Sequence, residues 1–320
     1  MARYLLRRTV QAVFVAWAAF TVSFGVLYLL PGDPVAIMAG GTADSSAFTP
    51  AQLAALRAQY GLDQSVPEQY LHRLAGALHA DFGTSVQTGA PVTSMIAEAL
   101  PETAKLAGSA LVLAIVAGAA IAFTATYSRR QWLRQLLLSV PAVGVSLPTF
   151  WVGLLLVQFV SFQWRLLPAI GNNGWQSLVL PAVTLALPYA AVLGQVFAKS
   201  MRTTLEEPYV QTAQAKGASR GRIHIRHAAR NAALPTFTLA GVIFGNLLAG
   251  AIVVETVFSR AGVGRLTADA VATQDIPVVQ GLVVLGAMVF VLVNLAVDIV
   301  YPLLDPRIVA HTAKPVPGGG

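Results

Sequence analysis

The chain of 320 residues contains no cysteine. That absence excludes disulfide frameworks, thiolate metal sites and a nucleophilic thiol. Charge is scarce as well: 11% of residues are Asp, Glu, Lys or Arg, against about 25% in soluble domains. With 56% hydrophobic residues, most of the chain must face lipid or other apolar helices. No glycine loop of the form G-x-x-x-x-G-K-[ST] occurs, so the chain does not cradle ATP phosphates itself. A G-x-S-x-G elbow and an H-E-x-x-H helix are also missing, and no catalytic residue, bound cofactor or metal ligand is expected. The net charge of +7 lies beside the apolar runs rather than in a nucleic-acid footprint, so no nucleic-acid partner is expected.

What the chain does have is apolar runs of spanning length. A span needs about 20 mostly apolar residues, and six segments satisfy this, roughly 9–30, 103–127, 135–162, 178–200, 234–256 and 278–303. Arg3, Arg7 and Arg8 precede the first run as they would a signal peptide. That run is longer than the roughly 7–15 residues of a secretory apolar core, and PGDP follows where a cleavage motif belongs. It reads as a retained span.

Lys and Arg near span ends set sidedness. Arg129, Arg130 and Arg134 fall between the second and third runs, and Lys199, Arg202 and a basic loop between the fourth and fifth. Together with the N-terminal arginines, Arg307 and Lys314, they share one side if there are six spans. The other side carries Asp33, Asp44, Asp63, Glu68 and Asp81. The expectation is an all-α integral membrane protein, a six-span helical bundle with both termini cytoplasmic. Residues 1–30 form the N-terminus and first span, and 31–100 a small extracytoplasmic helical cap. A five-span core occupies 101–303, including a cytoplasmic loop at 201–233, and 304–320 form a cytoplasmic tail. The cap holds too few apolar residues for an independent core.

Within the spans, Pro141, Pro148, Pro181 and Pro188 free backbone carbonyls that neighbours must satisfy. Gly241 and Gly245 offer a small-residue face for close helix packing or, alternatively, for gate movement or dimer contact. Glu255 and Asp298 lie near span ends, as polar contacts closing helix ends or as a relay, with Asn294 one turn from Asp298. His224 and His227 sit among arginines that repel a cation, which favours a plain basic helix over a metal site.

The loop from Tyr209 to Pro235, YVQTAQAKGASRGRIHIRHAARNAALP, has no acid. Thr204 to Glu207 reads as a capping box with Pro208 in the first turn. The helix runs through Ala213 and Ala215, stops at Gly217 in a left-handed cap, and Ser219 caps a second helix. The result is either a rigid knob that transmits force or a helix resting on anionic headgroups.

These residues resemble the membrane permease of binding-protein-dependent ABC importers, in the dipeptide/oligopeptide/nickel branch and of type I architecture. The resemblance rests on LPGDP (Leu30 to Pro34), YGLDQSVPEQY (Tyr60 to Tyr70), ADFGTS (Ala80 to Ser85), SLPTF (Ser146 to Phe150), the loop itself, VVETVFSRAGVGRL (Val253 to Leu266) and VNLAVDIVYPLLDPRI (Val293 to Ile308). It implies that Tyr209, Val210, Thr212, Ala213, Ala215, Lys216, Gly217, Ala218 and Ser219 form the helix that docks on an ATPase subunit. Gln211, Thr212 and Ala213 stand in the family's E-A-A places, and only Ala213 and Gly217 keep the general pattern.

The implied partners are a second permease, identical or not, two ATPase subunits carrying ATP and Mg, an extracytoplasmic substrate-binding protein, and membrane lipid. The receptor would dock within 31–100 and 257–277. The implied activity is ATP-driven import in the bacterial inner membrane, of di- or oligopeptides or, alternatively, of nickel chelates, glutathione-like or other small solutes. An ion-gradient-driven transporter is the main rival, and it lacks support from any mid-span charge or internal repeat.

Overall fold

In the computed structural model, residues 2–28 and 63–304 are described, with side chains at 8–27, 63–139, 141–293 and 295. The LPGDP segment, residues 31–62 of the expected cap, the side chains of Asn294 and Asp298, and residues 305–320 of the tail lie outside these residues. Helix is the dominant element of the described residues, and a single isolated bridge joins Thr84 to Pro91. Five helices are long and apolar enough to cross a membrane, or six if one bent pair forms a single span. The chain falls into two units, residues 1–103 with 261–291 and residues 104–260 with 292–320.

In the first unit, α1 (Ala2–Tyr28) packs on α2 (Val66–Leu78) through aromatic rings. Tyr70 meets Phe20 and Phe24 edge-on at 5.7 and 5.4 Å. Its hydroxyl accepts from Trp17 Nε1 at 3.0 Å and pairs with Thr21 at 2.9 Å. The start of α2 is a capping box: Glu68 accepts from the Ser65 hydroxyl at 2.7 Å and the Ser65 N–H at 3.0 Å. Those bonds, the hydroxyl first, hold the Glu68 carboxyl below its usual range. The support they give is present at neutral pH and is lost as pH falls through the lowered value.

A second core joins the beginning of α3 (Val92–Tyr127) to α9 (Val263–Ala272) and the first turns of α10 (Ile276–Leu304) through Val92, Ile96, Ala270 and Val278. Asp275, buried just before α10, accepts from the Ser85 hydroxyl at 2.5 Å and the Val86 N–H at 3.3 Å. Thr103 accepts from the Val263 N–H at 2.8 Å. Residues 63–91 thus share their cores with α1, α9 and α10.

The second unit contains α4 (Gln131–Ser146), α5 (Thr149–Leu156), α6 (Gln176–Leu205), α7 (Pro208–Ala215) and α8 (Arg220–Val257), besides the rest of α3. On α3 the fully buried positions Ala107, Ala110, Ala114, Ala122 and Ala125 recur at helical spacing, with Gly118 among them. Without a hydrophobic drive in lipid, such small residues let backbones approach. A Cβ on Gly118 would lie 2.9 Å from the Ala190 carbonyl oxygen and 3.0 Å from the Gly194 nitrogen on α6. Gly118→Ala is therefore expected to lower stability by about 1–3 kcal/mol through overpacking, measured as a drop in thermal midpoint of the purified protein. At Gly245 an added Cβ meets Val293 at 3.7 Å, an ordinary contact among the described residues.

The expected third span is not one straight helix. The pair Gln131–Ser146 and Thr149–Gln163 is bent by 100°. The cause is local: Leu147 is extended (φ −85, ψ 127), as residues before proline prefer, and Pro148 opens α5. Beyond α5 the chain widens into a π-helical stretch, Val157–Gln163.

Pro181 in α6 leaves an acceptor that the second unit fills. Pro181 has no N–H for the Ser177 carbonyl one turn earlier. The buried Arg260 donates its Nη1 to that carbonyl at 3.1 Å, and to the Gly171 carbonyl at 3.1 Å. Glu255, in the last turn of α8, is fully buried. The helix carrying the expected fifth span begins already at Arg220, so His224 and His227 lie on its first turns.

Candidate functional site

The basic loop is ordered by a short helix between two hydrogen-bonded ends. Thr204 does not cap α7. Its hydroxyl bonds the Ser200 carbonyl at 2.9 Å inside α6, which continues to Leu205. Serine and threonine satisfy themselves this way within a helix, so the cap falls to extended Glu207, whose side chain makes no capping bond. Pro208 then occupies the first turn, where a missing N–H costs nothing.

The other end of α7 follows the residues closely. Gly217 is left-handed at φ +81, Ala218 N–H donates to the Ala213 carbonyl at 3.0 Å, and Gly217 N–H to Gln214 at 2.9 Å. This is a Schellman ending. Ser219 accepts from the Arg222 N–H at 3.4 Å and caps α8. The first turns of α8 include a π-helical stretch, Ile223–Ala229.

Two anchors fix this element to the second unit. Val210 is fully buried, so α7 turns that side inward and leaves Gln211, Thr212, Gln214, Ala215 and Lys216 exposed. Tyr209 accepts from Asn231 Nδ2 at 2.7 Å and donates to the His227 carbonyl at 3.4 Å, tying α7 to α8. Beneath them Ala122, Phe197, Met201, Ala228 and Ala232 form an apolar cluster from α3, α6 and α8. His224 is buried, with Nδ1 3.0 Å from the Arg220 carbonyl and Nε2 3.4 Å from the Thr126 carbonyl at the end of α3. The two histidines therefore face different partners, carbonyl oxygens for His224 and the Tyr209 ring for His227.

The geometry thus divides the expected loop residues. Val210 is an anchor, Ala213 and Ala218 are half-buried, and Thr212, Ala215, Lys216, Gly217 and Ser219 are exposed. Sequence reasoning missed the supporting role of Tyr209 and the burial of His224. The polar character of Asn231 within an apolar run is the signal that could have found the first. Tyr209→Phe removes the Asn231 bond and is expected to loosen α7 by about 1 kcal/mol, seen as faster hydrogen exchange in residues 208–217 with membrane insertion unchanged.

An exposed helix on a packed base can receive or transmit a push. Comparisons with known proteins bear on the family of the whole chain. The family model described as binding-protein-dependent transport system inner membrane component matches residues 110–310, and the description of its N-terminal part matches residues 1–107. A probable peptide ABC transporter permease protein of Sinorhizobium fredii is 36% identical over 96% of this chain and 99% of its own length. The glutathione transport system permease protein GsiC of Salmonella typhimurium is 37% identical, again over 96% and 99%. Among solved structures, an amino acid ABC transporter aligns with a TM-score of 0.51 at 16% identity, over 67% of this chain and 94% of that one. An inward-facing MetNI methionine ABC transporter aligns at 0.52 and 15%, over 66% and 96%. At those identities the two structures speak to the fold alone.

Proposed function

This chain belongs to the family of binding-protein-dependent transport system inner membrane components, and from that premise we propose how it works and what it carries. It is a multi-pass permease of the inner membrane, the translocation subunit of an ATP-driven importer. Small peptides are its substrate, glutathione included, since the two named relatives above are a probable peptide permease and a glutathione permease. The observation that carries this reading is similarity along nearly the whole length, across both parts of the family description.

ATP and Mg are bound and hydrolysed on two separate ATPase subunits, and a second permease completes the path. Both termini and the 201–233 loop face the cytoplasm, in keeping with the run of Lys and Arg at those span ends. The exposed residues of α7 seat in the ATPase, and its closure on ATP moves α7 and the packed ends of α3, α6 and α8 together. A substrate-loaded receptor docks on the opposite face, within 31–100 and 257–277. Asp275 supports that reading, because its bonds to Ser85 and Val86 join two of these segments. Transport follows when ATP and receptor both favour one of two arrangements of the paired permeases.

Proteoliposomes of the full assembly test the reading. Labelled peptide uptake should require ATP and the receptor and survive a protonophore. Uptake driven by a proton gradient without ATP would assign the chain to the rival class of secondary transporter.

A further inference from the structure

The loop between α3 and α4 carries a charge pattern that the transport reading leaves unused. No Asp or Glu occurs between Glu102 and Glu206, yet Arg129, Arg130 and Arg134 cluster within this stretch. All three are exposed, and no ion pair among the described residues engages them. A fourth guanidinium lies at the end of α3, where Arg220 sits 4.9 Å over the ring of Tyr127. Cations this close in the chain repel one another and, with no ion-pair partner among the described residues, call for an anion from outside it.

The surface next to them says which kind. On α4, Trp132 is 60% exposed, Leu136 52% and Val143 59%, so an apolar stripe runs along the helix from the basic end. Ser139 interrupts it, but its hydroxyl donates to the Leu136 carbonyl at 2.9 Å and so exposes no open donor. An apolar stripe that starts at an aromatic residue flanked by arginines brings together the chemistry of acyl chain, interface and phosphate in a bilayer. An acidic protein surface matches the arginines and leaves the stripe uncovered.

We propose that Arg129, Arg130 and Arg134, which flank Trp132 around the first turn of α4, bind the headgroup of an anionic phospholipid. The inference goes beyond the transport reading and depends on neither substrate nor transport direction. The lipid phosphate sits among the guanidiniums, where Arg offers paired donors, and an acyl chain follows Trp132, Leu136 and Val143. Tyr127, held by Arg220, closes one side.

The test is quenching of Trp132 fluorescence by brominated phosphatidylglycerol against brominated phosphatidylcholine, with the purified full chain in phosphatidylcholine vesicles. The Trp132 signal is the difference between wild type and Trp132→Phe. With each basic residue contributing about fivefold near an anionic headgroup, wild type should prefer phosphatidylglycerol by roughly tenfold or more. The triple variant Arg129→Gln, Arg130→Gln, Arg134→Gln should bring the ratio near unity. If that variant does not insert, wild type in about 1 M salt gives the same reading, because screening shortens to about 3 Å. A wild-type ratio near unity overturns the proposal. So does a ratio that the triple variant and salt leave unchanged. Loss of ATPase copurification in the variant with lipid preference intact would assign the patch to a protein partner instead.

Discussion

Gly217→Val leaves the protein in the membrane and cuts ATP-driven peptide uptake by roughly tenfold or more. The reason is conformational, because an added Cβ at Gly217 meets nothing within 4 Å. Its φ of +81 is the obstacle. An L-residue in the left-handed region costs about 1–2 kcal/mol, and a β-branched one is a true outlier there. Valine would shift the turn to negative φ and break the bonds from Gly217 and Ala218 that end α7. The exposed residues of α7 would then be misaimed relative to Ser219 and α8. A penalty of about 2 kcal/mol lowers the population of the productive geometry roughly thirtyfold. ATP hydrolysis by the assembly should persist while its stimulation by loaded receptor disappears. Gly217→Asn is the control, because asparagine tolerates this conformation and should retain most uptake. Equal losses in both variants would show that chemistry at the position matters, not backbone shape.

Arg260→Met should lower stability by about 3 kcal/mol, through one buried and one half-buried carbonyl left without a charged donor. Here the Ser177 and Gly171 carbonyls both depend on Arg260 Nη1, and methionine fills the space without donating. The effect is tied to Pro181, whose missing N–H makes Ser177 dependent in the first place. Pro181→Ala returns a donor one turn away, so the loss from Arg260→Met should shrink by about 1 kcal/mol in that background, a coupling that a double-mutant cycle measures. Additive effects would mean that α6 does not need the guanidinium. The readout is the thermal midpoint of the purified protein in detergent, with residues 164–177 probed by limited proteolysis.

What the sequence made legible was governed by local rules. Span positions follow from apolar run length, and the helical architecture with its five or six crossing helices agrees with them. The ending of α7 was readable because a glycine before an alanine and a capping serine leaves few alternatives. The bend near Pro148 was equally local, and the expected straight run passed over it because apolar length does not report direction. Thr204 misled for a similar reason: a capping pattern identifies a start only if the preceding helix has ended, and α6 had not. Long-range pairings were not readable. Nothing near Asp275 in sequence names Ser85, and nothing near Pro181 names Arg260, since each partner is supplied by a distant segment. The tight crossing at Gly118 and Gly194 was hidden too. Gly118 lies ten residues from Gly108 in α3 and Gly194 stands alone in α6, so neither shows the four-residue spacing that Gly241 and Gly245 carry.

The absence of native cysteine makes one measurement especially direct. Lys216→Cys places a single thiol on the exposed side of α7, next to the Gly217 turn. A membrane-impermeant maleimide should leave it unlabelled in intact cells and label it in inside-out vesicles stripped of peripheral subunits. Adding back the ATPase subunits should then protect it. Labelling from outside intact cells, or full labelling with the ATPase bound, would contradict the account of α7 as the element that couples this permease to ATP.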